Sequence, residues 1–417
     1  MSSSNLINKD AARGTPPEKA GSTSWRILFV EPDILWFEQV KRDMECLHPG
    51  WVCMQASPVL AGPISLEWQA ADAIIVEGRA AGARPWLETV VRARPNINCL
   101  IRCDLADKPL VDEWKRLGFP MLASRGDASA LCSTLLRNAR LRQWMADPVI
   151  KALLPQIRKL PATPRLYTQV SEELRSHNSS LEVVAHLLRQ DPVMSAKILQ
   201  LVNSAFFASA SEVTDMIDAA TILGTERIKS LVLLAGVFFQ YNEAVGVFPA
   251  IDALLAHSVQ TGVYARAIVL SETKNAPLAE AAFTAGILHD MGKMILAGNL
   301  PDRYKAVRAL RAARQLSDHA AEMEIFGATH AKVAACLLAS WGLPLPILEA
   351  VAWHHEPECS PGKGFSLLAA IHAANAFAHE SAGEPFALQQ AFFDRIGLPD
   401  GCARWRQMFG LDKTVPS

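Results

Sequence analysis

A chain of 417 residues, half of them apolar, is too long for a single core and can bury two or three. Its 41 Lys and Arg against 42 Asp and Glu leave a formal charge of −1, which excludes the broad basic field that draws in nucleic acid phosphates. Eight cysteines lie scattered, with no CxxC spacing and no disulfide-like framework, so a reduced, cytoplasmic setting is expected.

Residues 1–24 are polar, with Pro16-Pro17 and several Ser, Lys and Gly, and lack the apolar core of a signal peptide. They are expected to be a disordered tail. From Trp25 a short apolar run, Ile27-Leu28-Phe29-Val30, ends in the acidic, turn-like Glu31-Pro32-Asp33, and an amphipathic stretch follows to about His48. Further apolar runs occur at Ala73–Val76, Cys99–Ile101 and Met121-Leu122, separated by helix-compatible segments such as Trp86–Arg92 and Val111–Leu117. This alternation predicts a small parallel α/β sheet over 25–142.

After Arg142 the strand signals stop. Leu181, Val184, Leu187 and Leu188 fall on one helical face, and Asp191-Pro192 supplies a cap and a first-turn proline for the next helix. Gly224-Thr225 breaks and recaps before Ile228, Leu231 and Val232, so an all-helical bundle is expected. The longest apolar run, Leu231–Gln240, is about half of the roughly 20 residues needed to span a bilayer, and no membrane partner is expected. Beyond Pro385 the pattern stays helical, and Leu388, Phe392, Phe393, Ile396, Trp405 and Phe409 predict an extension over 381–417 that packs on a domain or on a second subunit.

The chemistry-bearing residues are histidines. His257, His289, His330, His354 and His355 are five of the 11 in the chain, all on predicted helices, and Asp290 adjoins one of them. Imidazoles and a carboxylate converging in a bundle core are how helices hold a divalent metal, which can lower the pKa of a water for attack on a phosphoester. Neighbouring His289 and Asp290 do not share a helix face. They can share a metal only near a helix end or kink, which Gly292 would help to form.

Residues 25–142 resemble a response-regulator receiver in length, alternation and the acidic cluster after the first strand, which implies a flavodoxin-like parallel sheet. A working receiver needs carboxylates around a Mg²⁺ and an acceptor Asp. Here Glu31 and Asp33 supply acid, Glu77 stands at the acceptor-like position, and Arg102 or Cys103 and Ser124 or Arg125 stand where a hydroxyl and a Lys are expected. The expectation is a degenerate receiver used for docking or dimerisation.

Residues 150–380 resemble the HDOD family, the HD-related output domains of bacterial signalling proteins. The resemblance lies in Leu160-Pro161-Ala162-Thr163-Pro164, in Asp191-Pro192 through Asn203-Ser204-Ala205-Phe206-Phe207, and in Ile222-Leu223-Gly224 with Ile228–Leu231. It continues in Ala285–Lys293, Phe326–Ala331, Trp341–Pro344 and His354-His355. The wider HD phosphohydrolase superfamily implies His257, His289 and Asp290 as ligands, His330, His354 and His355 as ligands of a second metal, and Lys293 as the contact to a substrate phosphate, with Asp290 and Lys293 the catalytic pair. Where that superfamily has its last Asp ligand, this chain has Asn375, and the Gly-Tyr-Pro loop that accompanies cyclic-di-GMP cleavage does not follow His355.

The combined reading is a two-domain protein, a receiver-like α/β unit followed by an all-α HDOD bundle. It is expected to be a non-catalytic regulator in cyclic-di-GMP or two-component networks that meets other signalling proteins, with homo-oligomers among the open assemblies and a divalent metal in the HD-like site as the one cofactor considered. The alternatives are a metal-dependent phosphohydrolase of cyclic dinucleotides or nucleotides, and a nucleotide sensor without turnover.

Overall fold

The computed structural model describes residues 24–411 except 57–65, 95–96, 105–106, 108, 111–113, 115–120, 124–127, 146, 158–164, 175–179, 204–206, 208–212, 241–250, 342, 385 and 387. Residues 1–23 of the expected tail, Ser124 and Arg125, the Leu160–Pro164 motif, Ser204-Ala205-Phe206 and Gly342 therefore lie outside the described residues. The chain divides into two compact units, Met1–Leu135 and Leu136–Ser417.

The first unit is built on five parallel strands, β1 (Arg26–Val30), β2 (Val52–Ala56), β3 (Ala73–Glu77), β4 (Asn98–Cys103) and β5 (Met121–Ala123), in the order β2-β1-β3-β4-β5. That order is one of the two common doubly wound arrangements. Helices α1 (Ile34–Leu47), α2 (Leu66–Gln69) and α3 (Ala83–Ala93) lie between the strands in sequence. The central strands are unbroken apolar runs because nearly all of their residues are buried: Ile27 to Val30 and Ala73 to Val76 are within 1% of full burial. Strand β2 is different. It sits at an edge with Cys53 alone fully buried, so its sequence carries no apolar run and the sequence reading passes over it.

Helix α4 (Ala128–Met145) carries the chain from one unit to the other. Among the described residues the second unit is built of helices and has no strand: α5 (Pro148–Leu153), α6 (Arg165–Glu173), α7 (Leu181–Arg189), α8 (Pro192–Val202), α9 (Met216–Leu223), α10 (Thr225–Gln240), α11 (Ile251–Thr273), α12 (Ala276–Leu288) and α13 (Met291–Asn299). It continues with α14 (Pro301–Arg314), α15 (Asp318–Phe326), α16 (His330–Ser340), α17 (Leu345–Trp353), α18 (Leu367–Ser381), α19 (Gln390–Arg395) and α20 (Gly401–Met408). The caps follow from side-chain chemistry: Asp191 accepts from Met194 N ahead of α8, and Gly224, at φ 78, ends α9.

One apolar core runs through this unit from Leu141 to Trp405. The C-terminal extension belongs to it, since Phe392, Phe393, Ile396, Cys402 and Trp405 are buried and the Trp405 indole donates to Glu272 on α11. It thus packs back on its own unit. Burying Phe393 completely is worth about 2 kcal/mol. No helix among the described residues is long and apolar enough to cross a membrane.

Candidate metal centre

Two glycine contacts set the geometry of the centre. Helices α11 and α12 cross so closely that a Cβ on Gly286 would lie 2.5 Å from Gly262 Cα, which draws His257, just before Gly262, toward His289, just after Gly286. A Cβ on Gly292 would fall 2.0 Å from the His330 carbonyl oxygen. Gly292 thus admits the start of α16 against α13. His289 closes α12 and Asp290 opens α13, so the His-Asp pair stands at the junction of two helices, where both side chains turn the same way.

Asp290 is 1% exposed and lies at the middle of the cluster. Its Oδ1 is 3.1 Å from His330 Nε2 and 3.8 Å from His354 Nε2, while its Oδ2 is 3.4 Å from His289 Nε2 and 3.8 Å from His257 Nε2. His355 Nε2 reaches His330 Nε2 at 3.2 Å. Two groups of ligand atoms result, each within 4.8 Å: Asp290 with His330, His354 and His355, and Asp290 with His257 and His289. Asn375 Oδ1 lies 3.0 Å from His257 Nε2, and the Asn375 amide nitrogen is buried without a partner.

The backbone fixes which ring nitrogens are free. His289 Nδ1 donates to the Gly286 carbonyl at 2.6 Å and His354 Nδ1 donates to Val351 at 2.8 Å, which leaves both Nε2 lone pairs facing Asp290. His289 Nε2 is buried with no hydrogen-bond partner. A buried, unpaired lone pair beside a carboxylate is costly unless a cation completes it, so the residues present fit a divalent metal.

Electrostatics agree. Burial and the His289 imidazole push His257 down to about 3, burial pushes His289 down to about 4 against the pull of Asp290, and burial with the neighbouring imidazoles holds His354 and His355 well below the ordinary value. These four rings are neutral at pH 7, the form in which an imidazole can bind a metal. His330 behaves differently: burial works against its charge, but the Glu322 carboxylate outweighs burial and lifts it to about 9. Glu322 is fully buried and accepts from both His330 Nδ1, at 2.6 Å, and the His330 backbone N–H, at 2.7 Å. For Asp290, His289 and Lys293 overcome burial and hold the carboxyl well below its usual range. A proton on His330 and the Lys293 ammonium, 2.7 Å from Asp290 Oδ2, are thus the chain's own cations at this centre.

The structure brings all seven expected residues, His257, His289, Asp290, His330, His354, His355 and Asn375, to one place. Lys293, expected at a substrate phosphate, bonds Asp290 and lies 3.4 Å from Asp318. Sequence reasoning missed Glu322 and Asp318. His372 donates to the His354 carbonyl, and the His379 ring lies 4.4 Å from that of His257.

Each of the three acidic residues expected at a receiver site, Glu31, Asp33 and Glu77, has a partner within the fold. Glu31 is 3% exposed and pairs with Arg102 at 2.6 Å, Asp33 caps α1 by accepting from Trp36 N, and Glu77 accepts from Arg79 N. The Arg102 guanidinium also stacks on Trp36 at 4.3 Å. Burial raises the Glu31 pKa, and Arg102 pulls it back.

Residues 160–357 match the HDOD domain family. An uncharacterised protein of Treponema pallidum (strain Nichols) is 22% identical over 243 residues, which is 57% of this chain and 46% of that protein, so the chain spans about half the length of this relative. Among solved structures, an HDOD domain protein of unknown function from Geobacter sulfurreducens is 20% identical, with TM-score 0.50, over 63% of this chain and 89% of the other. A candidate phosphohydrolase from Shewanella amazonensis SB2B is 20% identical, with TM-score 0.46, over 64% of this chain and 96% of the other. The likeness to the Geobacter structure is one of fold. With the family match falling on the helices that hold the histidines, the second unit of this chain carries an HDOD domain.

Proposed function

We propose that this chain is a signalling regulator whose HDOD domain holds a divalent metal at Asp290 and uses the centre to bind a phosphate-bearing ligand, passing the response on through contacts with other signalling proteins. One observation carries the reading: several imidazole nitrogens, one of them buried without a partner, converge on a single buried carboxylate. Asp290 with His330, His354 and His355 would hold one ion, and Asp290 with His257 and His289 a second. A bound metal supplies Lewis acidity and a water of lowered pKa. The chain's own groups do the rest: Glu322 orients His330, the Gly286 and Val351 carbonyls orient His289 and His354, and Lys293 offers positive charge.

Asn375 favours binding over turnover. Its amide oxygen brings no anion to the ligand set and cannot take up a proton, so the site has Asp290 as its one shared carboxylate. The sheet unit is read as a degenerate receiver of flavodoxin-like topology, supported by the strand order and by Glu31 and Glu77 at the ends of β1 and β3. With Arg102 on Glu31 its role is docking or self-association in a cytoplasmic network, not phosphoryl transfer.

A second reading, a metal-dependent phosphohydrolase of nucleotides or cyclic dinucleotides, draws on the place of Asp290 in two ligand groups at once, which suits a pair of ions. Titration of manganese-loaded full-length protein with nucleotides and cyclic dinucleotides separates the two. The regulator reading expects a thermal shift without product. Release of product that is lost in Asp290→Ala would overturn it in favour of the hydrolase.

A further inference from the structure

Charges run outward from the centre in single file. The Lys293 ammonium, 2.7 Å from Asp290, also lies 3.4 Å from Asp318 Oδ2, and Arg311 Nη1 lies 3.3 Å from the other oxygen, Asp318 Oδ1. Side-chain exposure climbs along this line, from 2% at Asp290 and 7% at Lys293 to 28% at Asp318 and 53% at Arg311. The line therefore leads from the buried carboxylate to solvent. The Asp318 carboxylate bridges a nearly buried ammonium on α13 and an exposed guanidinium on α14, and both cations hold its carboxyl below the usual range even though burial opposes them.

Two cations of different helices, one a point charge and one a planar fork, are the pair that grips a tetrahedral oxyanion. Here an oxyanion of the chain itself sits between them. The local charges balance, with Lys293 and Arg311 against Asp290 and Asp318, so an incoming anion meets no net attraction until Asp318 gives way.

We propose that Lys293 and Arg311 form an anion subsite beside the metal centre, that the subsite takes a phosphate group of the ligand, and that Asp318 is its built-in occupant and competitor. The location rests on the reading of the Asp290 cluster as a ligand centre; the chemistry rests on the chain's own cations. Arg311 and Asp318 then set which ligands enter: a ligand must carry a phosphate strong enough in charge and hydrogen bonding to displace a carboxylate.

The test is calorimetric titration of inorganic phosphate into chelator-treated full-length protein. Asp318→Asn keeps the size of the side chain and removes its charge, and it is expected to bind phosphate about tenfold more tightly than wild type. Arg311→Ala in the Asp318→Asn background is expected to abolish that gain. Arg311→Ala alone, at an exposed position that does not threaten folding, is expected to weaken phosphate binding by about tenfold. An Asp318→Asn protein of native melting temperature that binds phosphate within about twofold of wild type would overturn the proposal, as would a gain that survives Arg311→Ala. Metal does not enter this titration, so a protein that takes up no metal would sink the centre reading while leaving this outcome legible.

Discussion

The two units each bury a carboxylate with a cation of their own, and they differ in what is left over. In the sheet unit Arg102 bonds Glu31 through two nitrogens, Asp33 is used as a helix cap and Glu77 as a backbone acceptor, so these three acidic residues end up with partners inside the fold. In the helical unit Lys293 reaches Asp290 as well, yet imidazole nitrogens from four other segments crowd the same carboxylate and His289 Nε2 stays unpaired. A cluster of acids is thus a poor sign of a metal site when an arginine closes it. A surplus of neutral donors around one carboxylate is a good one.

Removing one partner from each pair is the harshest way to break this comparison. Asp290→Ala takes the nearer carboxylate from the buried Lys293 ammonium, leaving it only Asp318 at 3.4 Å, and is expected to cost about 3–5 kcal/mol in denaturant unfolding, and Arg102→Ala, which strands Glu31, about 3 kcal/mol. If Asp290→Ala proved no costlier than a surface change, the charge balance assigned to the centre would be wrong. Glu322→Gln acts one step out. It keeps the shape but weakens the hold on His330, so metal affinity is expected to fall between about tenfold and a hundredfold by competition with a chelating dye, with no loss if Glu322 is mere packing.

The His330 proton gives a pH signature. Its folded value, about 9, lies above the ordinary 6.5, so the bound proton contributes stability that is complete below about pH 6.5 and is lost as pH rises through 9. A metal must displace that proton, while His257, His289, His354 and His355 are already neutral. Metal affinity should therefore rise about tenfold per pH unit up to about pH 9 and then level off; an affinity flat between pH 6 and 8 would contradict a charged His330. The smallest effect is expected at Asp33→Ala, about 1 kcal/mol of lost helix capping with metal affinity unchanged.

Most of the helical architecture was legible because caps and glycines declare themselves locally: Asp191-Pro192 and Gly224 stand where helices start and stop. The central strands were legible as apolar runs. Edge strand β2 was not, because one of its faces meets solvent. In the centre, the histidines and Asp290 stood out by residue type, whereas Glu322 did not: Glu322 and Glu324 sit two residues apart on the same short helix, and no local pattern tells that one is fully buried against His330 while the other faces Arg314 at the surface. The use of Gly292 was likewise hidden. Its sequence context suggested a kink, but its role is the close approach of His330, a contact made across 38 residues of chain.

The central claim is that the helical unit, and not the sheet unit, holds a metal. It is tested most directly by elemental analysis of full-length protein purified without chelator, beside Asp290→Ala and Arg102→Ala. The account predicts a stoichiometric divalent metal in wild type and Arg102→Ala and its loss in Asp290→Ala. Metal-free wild type that stays so after incubation with manganese, zinc and iron, or a metal content indifferent to Asp290, would contradict it.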